Sequence, residues 1–329
     1  MKIRILSDIH QDINYKYPLD LNVNGENDVF TIVAGDVGGS PDEIIKWIKN
    51  NIKHGAFISG NHDVYDSDLP IEDIKTKLSI EFSPESDITY FDIDIGVISK
   101  EIADGILLVA DVMYTDYKLP IKYINNGDPM SNMRLADPYY NRRGGMNDFI
   151  YGTCKKNYGD ASNSKDKDVF RLVPKYYLEH HEKAFSEITK VIEENQDKQI
   201  ILVTHHGLSP KCLDINYSHD DLDASYASDK EKWILSHPNI KLIISGHVHC
   251  RKTFMIGETR YAMNALGYCS RHLKQYSNET QQYEYWTPDC YVDTDDWSIK
   301  WMPSTNSQWH EEYEKFQNKS LGILNAFIV

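Results

Sequence analysis

The sequence predicts an α/β layered fold, because short apolar segments alternate along the chain with longer amphipathic ones. Short apolar runs that are rich in β-branched side chains and end in a polar cluster are typical of buried strands. Between them lie segments with the apolar periodicity of helices. Strands that alternate with helices in this way favour a layered α/β architecture.

Six such runs predict strands, since each is too short for a helix. They cover residues 3–6, 30–33, 56–58, 106–109, 200–203 and 241–244.

Three segments predict helices, at residues 41–52, 174–195 and 221–235. The first begins with Ser40 as N-cap, Pro41 at the first helical position and Glu43 completing a capping box. The second carries an apolar stripe at helical spacing.

Two regions depart from this alternation, at residues 114–170 and 274–329. We expect residues 1–273 to form one catalytic domain, with 114–170 as an insertion or cap. Residues 274–329 are expected to form a C-terminal extension that packs on or near that domain. Within the insertion, residues 155–168 are polar and predict an exposed loop.

The composition disfavours some partners. Acidic residues outnumber basic ones by 50 to 35, giving a formal net charge of −15, which repels nucleic-acid backbones and anionic membranes. The five cysteines are scattered and form no CxxC motif, which favours free thiols in a reducing compartment. No secretory leader or long apolar segment is apparent. We therefore expect a cytoplasmic protein, in a bacterium or a phage-infected host, with no membrane partner.

Residue types that bind metals follow five of the predicted strands. The groups are Asp8 with His10, Asp36, Asn61 with His62 and Asp63, His205 with His206, and His247 with His249. The carboxyl ends of parallel strands meet at one edge of a sheet, so these side chains are expected to converge. One such group alone is more typical of a turn or a core histidine, but five in succession indicate a metal site. Carboxylate, imidazole and amide ligands suit Mn, Fe, Zn or Ni.

The motifs D-x-H, G-D, G-N-H-D, H and G-H-x-H occur in this order over about residues 2–267. This series resembles the calcineurin-like metallophosphoesterases. Further segments resemble a bacterial and phage branch of that superfamily: Met146-Asn147-Asp148-Phe149, His205-His206-Gly207-Leu208-Ser209-Pro210 and Ala227-Ser228-Asp229. The resemblance implies a four-layer α/β/β/α sandwich of two mixed sheets flanked by helices. It also implies phosphoester hydrolysis by water activated on two metal ions, with Mn as the first candidate.

The resemblance also implies a role for each residue of the site. Asp8, His10 and His249 correspond to ligands of the first metal, and Asn61, His205 and His247 to ligands of the second. Asp36 corresponds to the carboxylate that bridges both metals. His62 corresponds to a histidine that contacts the phosphate or assists the leaving group, and Asp63 is expected to orient its ring.

Other assignments depend on position alone. His205 lies nearer the strand end than His206, so we expect His205 to be the ligand and His206 to face the substrate. Arg134, Arg142, Arg143 and Asn147 are candidate substrate-binding residues, although surface arginines without a role are the alternative.

Three functions remain open. The first is a phosphodiesterase that acts on a small, phosphorylated, nucleotide-type substrate. The second is a phosphomonoesterase or nuclease of the same superfamily, although the charge of −15 disfavours extended nucleic acid. The third is a catalytically silent binding protein, which the complete motif set disfavours.

Overall fold

The computed structural model describes residues 1–16, 18–21, 28–65, 68–121, 124–141, 144–159, 168–214, 221–277 and 280–326, excluding the side chains of 316 and 319–326. Over these residues, two six-stranded sheets pack face to face and helices cover their outer faces. The predicted four-layer α/β/β/α fold is therefore confirmed. It places two mixed sheets at the centre, as the motif series implied.

The first sheet has four parallel strands. Two further strands follow at one edge, and each runs antiparallel to its inner neighbour. Its order is β16 (Ile299–Trp301), β15 (Cys290–Asp293), β1 (Lys2–Leu6), β2 (Val29–Ala34), β3 (Gly55–Ile58) and β4 (Ile88–Phe91).

The second sheet has four central parallel strands and an antiparallel strand at each edge. Its order is β11 (Arg251–Ile256), β12 (Thr259–Asn264), β10 (Ile240–Ser245), β9 (Gln199–Val203), β6 (Ile106–Ala110) and β5 (Ser99–Ala103). The six predicted strands are all present, each to within one residue at either end.

Both faces of the central strands are buried, which explains their nearly continuous apolar sequences. In β1, Ile3 and Ile5 pack between the two sheets, where they meet residues such as Ile244 of β10. Leu6 points the other way and joins the cluster under the helices of the first sheet. Successive side chains of a strand alternate between faces, so each strand contributes to two cores.

Helices complete the outer layers. In chain order they are α1 (Pro41–Asn51), α2 (Ile71–Glu81), α3 (Pro129–Ala136), α4 (Asp148–Tyr151), α5 (Pro174–Glu194), α6 (Asp223–Tyr226), α7 (Glu231–Leu235), α8 (Cys269–His272) and α9 (Ser307–Ala326). Helix α1 begins as predicted, with the Ser40 side chain accepting a hydrogen bond from the Glu43 amide. Residues of α1 and α2 pack on the first sheet, and residues of α5 pack on the second. No helix in the described parts of the chain has the length and apolar character that crossing a bilayer requires.

The prediction of one helix over residues 221–235 is wrong. The segment forms the short helices α6 and α7, separated by an extended residue, Ala227. Ala227 forms a parallel bridge with Gly207, and the Ser228 amide donates to the Gly207 carbonyl at 2.9 Å. These tertiary hydrogen bonds take the place of the helical ones, which a local apolar pattern cannot reveal.

Two small hairpins occur in the regions that departed from the alternating pattern. They are β7 (Thr153–Cys154) with β8 (Phe170–Arg171), and β13 (Lys274–Ser277) with β14 (Gln282–Tyr285). The segment after residue 274 also supplies β15 and β16 to the first sheet. Most of the predicted exposed loop, residues 160–167, lies outside the described residues.

The two sheets are joined at the carboxyl end of β1. The Ser7 amide donates to the Asn264 carbonyl at 3.2 Å, and the Leu266 amide donates to the Ser7 carbonyl at 3.0 Å. These bonds continue β1 alongside the end of β12. They hold the carboxyl ends of both sets of parallel strands against each other, which is where the candidate ligands lie.

A buried lysine stabilises the packing of α2 on the loop after β4. Lys75 Nζ lies 3.0 Å from Asp92 Oδ2 and 2.7 Å from Asp94 Oδ2, and only 2 % of its side chain is exposed. Lys75→Met would leave the buried Asp92 carboxylate without its counter-charge. We expect it to lower the free energy of unfolding by about 3–5 kcal/mol, as measured by urea denaturation. Lys77→Met on the same helix removes an exposed ion pair and serves as the control, with an expected loss under about 1 kcal/mol.

Candidate metal centre

The seven candidate ligands come together at the carboxyl ends of the parallel strands, where the sequence pattern predicted them. They lie in the loops that follow β1, β2, β3, β9 and β10. One group of ligand atoms, all within 4.8 Å of one another, comes from Asp8, His10, Asp36 and His249. A second such group comes from Asp36, His205 and His247. Asp36 is the carboxylate that belongs to both groups.

The distances within the groups are short enough for shared coordination. In the first, His249 Nε2 lies 3.3 Å from Asp8 Oδ1 and 3.0 Å from His10 Nε2. In the second, His205 Nε2 lies 3.3 Å from Asp36 Oδ2 and 2.9 Å from Asn61 Oδ1. Asn61 therefore joins the second group through its amide oxygen.

The donor atoms fit a pair of divalent cations. His247 Nε2 is buried and has no hydrogen-bond partner among the described residues. An imidazole nitrogen in that position is normally satisfied, so this one is suited to accept a metal. Two carboxylates, four imidazoles and one amide oxygen form a mixed nitrogen and oxygen set, which transition metals favour.

Electrostatics keep two of the imidazoles in the neutral form that binds metal. Burial lowers the pKa of His10 to about 3 and that of His247 to about 3, although Asp36 opposes the shift in both. His205 differs: burial lowers its pKa, but the neighbouring Asp36 charge outweighs this and raises the pKa to about 10. A proton and a metal ion therefore compete for the same His205 nitrogen.

The backbone at the candidate ligands is strained. Asp8, His10, Asp36, His247 and His249 have φ values of 55°, 48°, 57°, 70° and 48°. For an L-residue other than glycine, this left-handed conformation costs on the order of 1–2 kcal/mol. Such strain persists where the surrounding structure imposes it, and it is concentrated at functional sites. The tight turns aim alternate side chains at one point.

Two glycines allow the strand ends to approach each other. A Cβ on Gly60 would lie 2.0 Å from Asp36 Oδ1, and one on Gly246 would lie 2.5 Å from Asp8 Oδ2. Any side chain at these positions would displace a candidate ligand. Glycine in G-N-H-D and G-H-x-H is therefore required by the packing of the centre.

Asp63 fixes the loops and does not orient the His62 ring, so that expectation is wrong. Its two oxygens accept hydrogen bonds from the backbone amides of Gly60, Asp36, Val37 and Gly38, at 2.7, 2.9, 2.7 and 3.0 Å. Asp63 follows His62 in a 3₁₀ turn, and this turn directs the carboxylate toward the loop after β2. It thereby ties the turn that carries Asn61 to the turn that carries Asp36.

The partner of His62 is Asp12, whose Oδ2 lies 2.7 Å from His62 Nε2. Burial lowers the pKa of His62, but the hydrogen bond to Asp12 and the nearby carboxylates outweigh it, so the pKa is raised. His62 also packs edge-on against His10, at 4.7 Å between ring centroids. It thus stands next to the first ligand group.

Asp148 fixes the orientation of Asn61. Its Oδ1 accepts hydrogen bonds from Asn61 Nδ2 at 2.6 Å and from the Tyr65 hydroxyl at 2.9 Å. Because the amide nitrogen of Asn61 is held by Asp148, the amide oxygen faces His205. This contact gives the M-N-D-F segment a structural role.

Asp148→Ala would free the Asn61 amide to rotate and present its nitrogen to the centre. We expect the affinity for the more weakly bound metal ion to fall about 10–100-fold, the range found for residues that orient ligands. Isothermal titration calorimetry with Mn²⁺ measures this directly. Tyr65→Phe is the control, because it keeps the bond between Asn61 and Asp148. Equal losses in both variants would contradict the assigned role of Asp148.

A cavity of about 380 Å³ opens above the ligands. Its size is within the range of small-molecule sites. Its walls come from three segments of the chain outside the metal motifs. The wall residues are Gly145, Met146, Asn147, Leu213, Asp214, Asp223, Tyr226, Tyr268, Arg271 and His272.

The four expected substrate-binding residues differ in their position relative to the cavity. Asn147 lines the cavity. Arg134 is exposed on α3 and is not part of the cavity wall. Arg142 and Arg143 lie outside the described residues.

The expectation that His206 faces the substrate is wrong. It is only 1 % exposed, and its ring packs 5.4 Å from Tyr114 and 4.2 Å from His247. Neighbouring residues of an extended segment point in opposite directions, so His206 faces the core when His205 faces the centre.

The sequence motifs did not indicate Asp12, Tyr226, Tyr268 or Arg271 as site residues. Asp12 had a signal, because it continues the two-residue spacing of Asp8 and His10. The other three had none, since they approach the centre only through the tertiary fold.

The chain is similar to known proteins in sequence and in fold. The profile of the calcineurin-like phosphoesterases matches residues 1–251. The phosphopantetheinyl hydrolase of Mycobacterium tuberculosis has a similar structure, with a TM-score of 0.57 at 15 % identity, covering 81 % of this chain and 89 % of that one. A dimetal phosphatase from Danio rerio has a TM-score of 0.46 at 13 % identity, covering 80 % and 86 %. Among curated proteins, none matches the sequence.

The family match covers about three quarters of the chain and includes all seven candidate ligands in their expected order. Metal-dependent phosphoester hydrolysis is the chemistry of this family. The chain belongs to the calcineurin-like phosphoesterases.

Proposed function

We propose that this protein is a dinuclear metal-dependent phosphodiesterase that acts on a small, nucleotide-type substrate. The observation that carries the proposal is the position of Asp36, whose carboxylate is shared by two groups of ligand atoms at the floor of the cavity. A shared carboxylate is the arrangement that holds two cations close together. Asp8, His10 and His249 would hold one ion, Asn61, His205 and His247 the other, and Asp36 both.

When bound, the two ions supply a water of lowered pKa and neutralise the charge of the phosphate. Mn is the first candidate, with Fe, Zn or Ni as alternatives. The residues of the chain provide the geometry. Asp63 and Gly60 hold the turns in place, and Asp148 keeps the amide oxygen of Asn61 directed inward.

His62 is the proposed group that stabilises charge on the phosphate and the leaving oxygen. Asp12 holds its Nε2 at 2.7 Å, which favours the protonated ring and fixes its orientation. A protonated imidazole beside the reacting phosphate can donate a hydrogen bond as negative charge develops.

Two features support a diester with a nucleotide-type group. Asn147, Tyr226 and Tyr268 line the cavity from three different segments of the chain, so more than one ester substituent can find a contact beside the ligands. The tyrosine rings offer flat faces for a base or another ring. The net charge of −15 disfavours long nucleic acids.

The proposal is tested by comparing hydrolysis of bis(p-nitrophenyl) phosphate with that of p-nitrophenyl phosphate by Mn²⁺-loaded protein. We expect the larger kcat/KM for the diester and loss of both activities in EDTA. A preference for the monoester would replace the proposed diesterase with a phosphatase. Absence of both activities, with metals bound, would favour a binding protein instead.

A further inference from the structure

One wall of the cavity comes from a part of the chain beyond the family match. The match ends at residue 251, whereas Tyr268, Arg271 and His272 line the cavity from α8 and the residue before it. Specificity within a fold depends on the walls around a shared centre. This wall is the part of the site that the family match does not cover.

The wall is held rigidly against the centre. The Gly267 amide donates to the Asp8 carbonyl at 2.9 Å. Asn14 donates to the Gly267 carbonyl at 2.8 Å and accepts from the Cys269 amide at 2.9 Å. The Arg271 amide donates to the Tyr268 carbonyl at 2.8 Å. The backbone of Arg271 is thus held beside the loop that carries the first ligands.

Arg271 lies close to the centre as well as to solvent. The Tyr268 ring packs 4.9 Å from His10 and 4.8 Å from His249, measured between centroids. Arg271 follows three residues later, on the same side of a short helix, and it lines the same cavity.

Arg271 is the one arginine or lysine among the described residues that line this cavity. Its guanidinium forms no ion pair with a described residue. Asp214 and Asp223, which also line the cavity, each take part in a further contact. A guanidinium presented to a ligand cavity is suited to bind a carboxylate or phosphate through two parallel hydrogen bonds.

We propose that Arg271 binds a second anionic group of the substrate, a carboxylate or a phosphate, at a distance from the reacting phosphate. The substrate class is then small phosphoesters that carry a distal anion. This inference rests on the proposed function, because it places the reacting phosphate on the metal ligands. Arg271 thus acts as a specificity-determining residue.

Binding of unreactive phosphonates to the Mn²⁺-loaded protein provides the test, measured by calorimetry. The probes are alkylphosphonates, ω-carboxyalkylphosphonates and alkane diphosphonates of matched length, with spacers of two to four carbons. We expect at least one doubly anionic probe to bind about tenfold or more tightly than its alkyl counterpart, since hydrogen bonds to charged groups have this strength. Whether the carboxylate or the diphosphonate gains more identifies the distal group.

Arg271→Gln should reduce this ratio to about one, and Arg271→Lys should restore part of it. Arg134→Gln, an exposed arginine outside the cavity, is the matched control and should keep the wild-type ratio. A wild-type ratio of one at every spacer, or an unchanged ratio in Arg271→Gln, would overturn the inference.

The alkylphosphonates separate this inference from the proposed function. If they bind only when metal is present and the ratio is one, the role of Arg271 fails while the metal centre stands. If they show no metal-dependent binding at all, the placement of the phosphate fails and the inference fails with it.

Discussion

Asp36→Asn is expected to lower kcat/KM for bis(p-nitrophenyl) phosphate by more than about 100-fold, which exceeds the 10–100-fold effect of residues that only orient ligands. The reason is that one carboxylate serves both groups of ligand atoms. An asparagine has nearly the same shape but no charge, so it cannot hold two cations. The same variant should lose at least one metal ion per chain, measured by elemental analysis.

A matched control is Asp104→Asn, at an exposed turn before the amino-terminal end of β6, whereas the candidate ligands follow the carboxyl ends of the strands. It should keep full activity and metal content. An Asp36→Asn variant that retained two metal ions and most of the activity would contradict the shared role of this carboxylate. Comparison of melting temperatures without metal would separate loss of the centre from loss of the fold.

His62→Ala should lower kcat about 10²–10⁴-fold, the usual contribution of a positioned acid or base. The same variant should keep both metal ions. His62 pairs with Asp12, and it belongs to neither of the two ligand groups that contain Asp36. Its loss therefore removes a hydrogen-bond donor near the phosphate without removing a ligand. Steady-state kinetics and elemental analysis on the same preparation measure both quantities.

Asp12→Asn is the companion variant, because it keeps the His62 ring and removes the charge that favours its protonated form. We expect an intermediate loss of kcat. If His62→Ala lost a metal ion, the distinction between ligands and the charge-stabilising residue would be wrong.

The sequence predicted β1, β2, β3, β6, β9 and β10 for a physical reason, but not the central strand β12, in which polar residues interrupt the apolar run. Strands buried on both faces have nearly continuous apolar sequences, and each of the six runs was bounded by polar residues. The edge strands β5 and β11 were not predicted, because their partly exposed residues do not form such runs. The helix over 221–235 was predicted wrongly since Ala227 pairs with a distant segment.

The candidate ligands were predictable because each lies just after the carboxyl end of a strand. The contacts that orient them were not. Asp12 binds the His62 ring and Asp63 binds backbone amides, although Asp63 is the nearer residue in sequence. Likewise, Asp148 reaches Asn61 across 87 positions of the chain. Such contacts depend on the packing of loops, which residue patterns do not determine.

Crystals soaked in Mn²⁺ and measured at the manganese absorption edge would show directly whether two metal ions share Asp36. We expect two anomalous peaks about 3.5–4 Å apart. Both should contact Asp36, with Asp8, His10 and His249 around one, and Asn61, His205 and His247 around the other. A single peak, or two peaks that do not share Asp36, would contradict a dinuclear centre at this position.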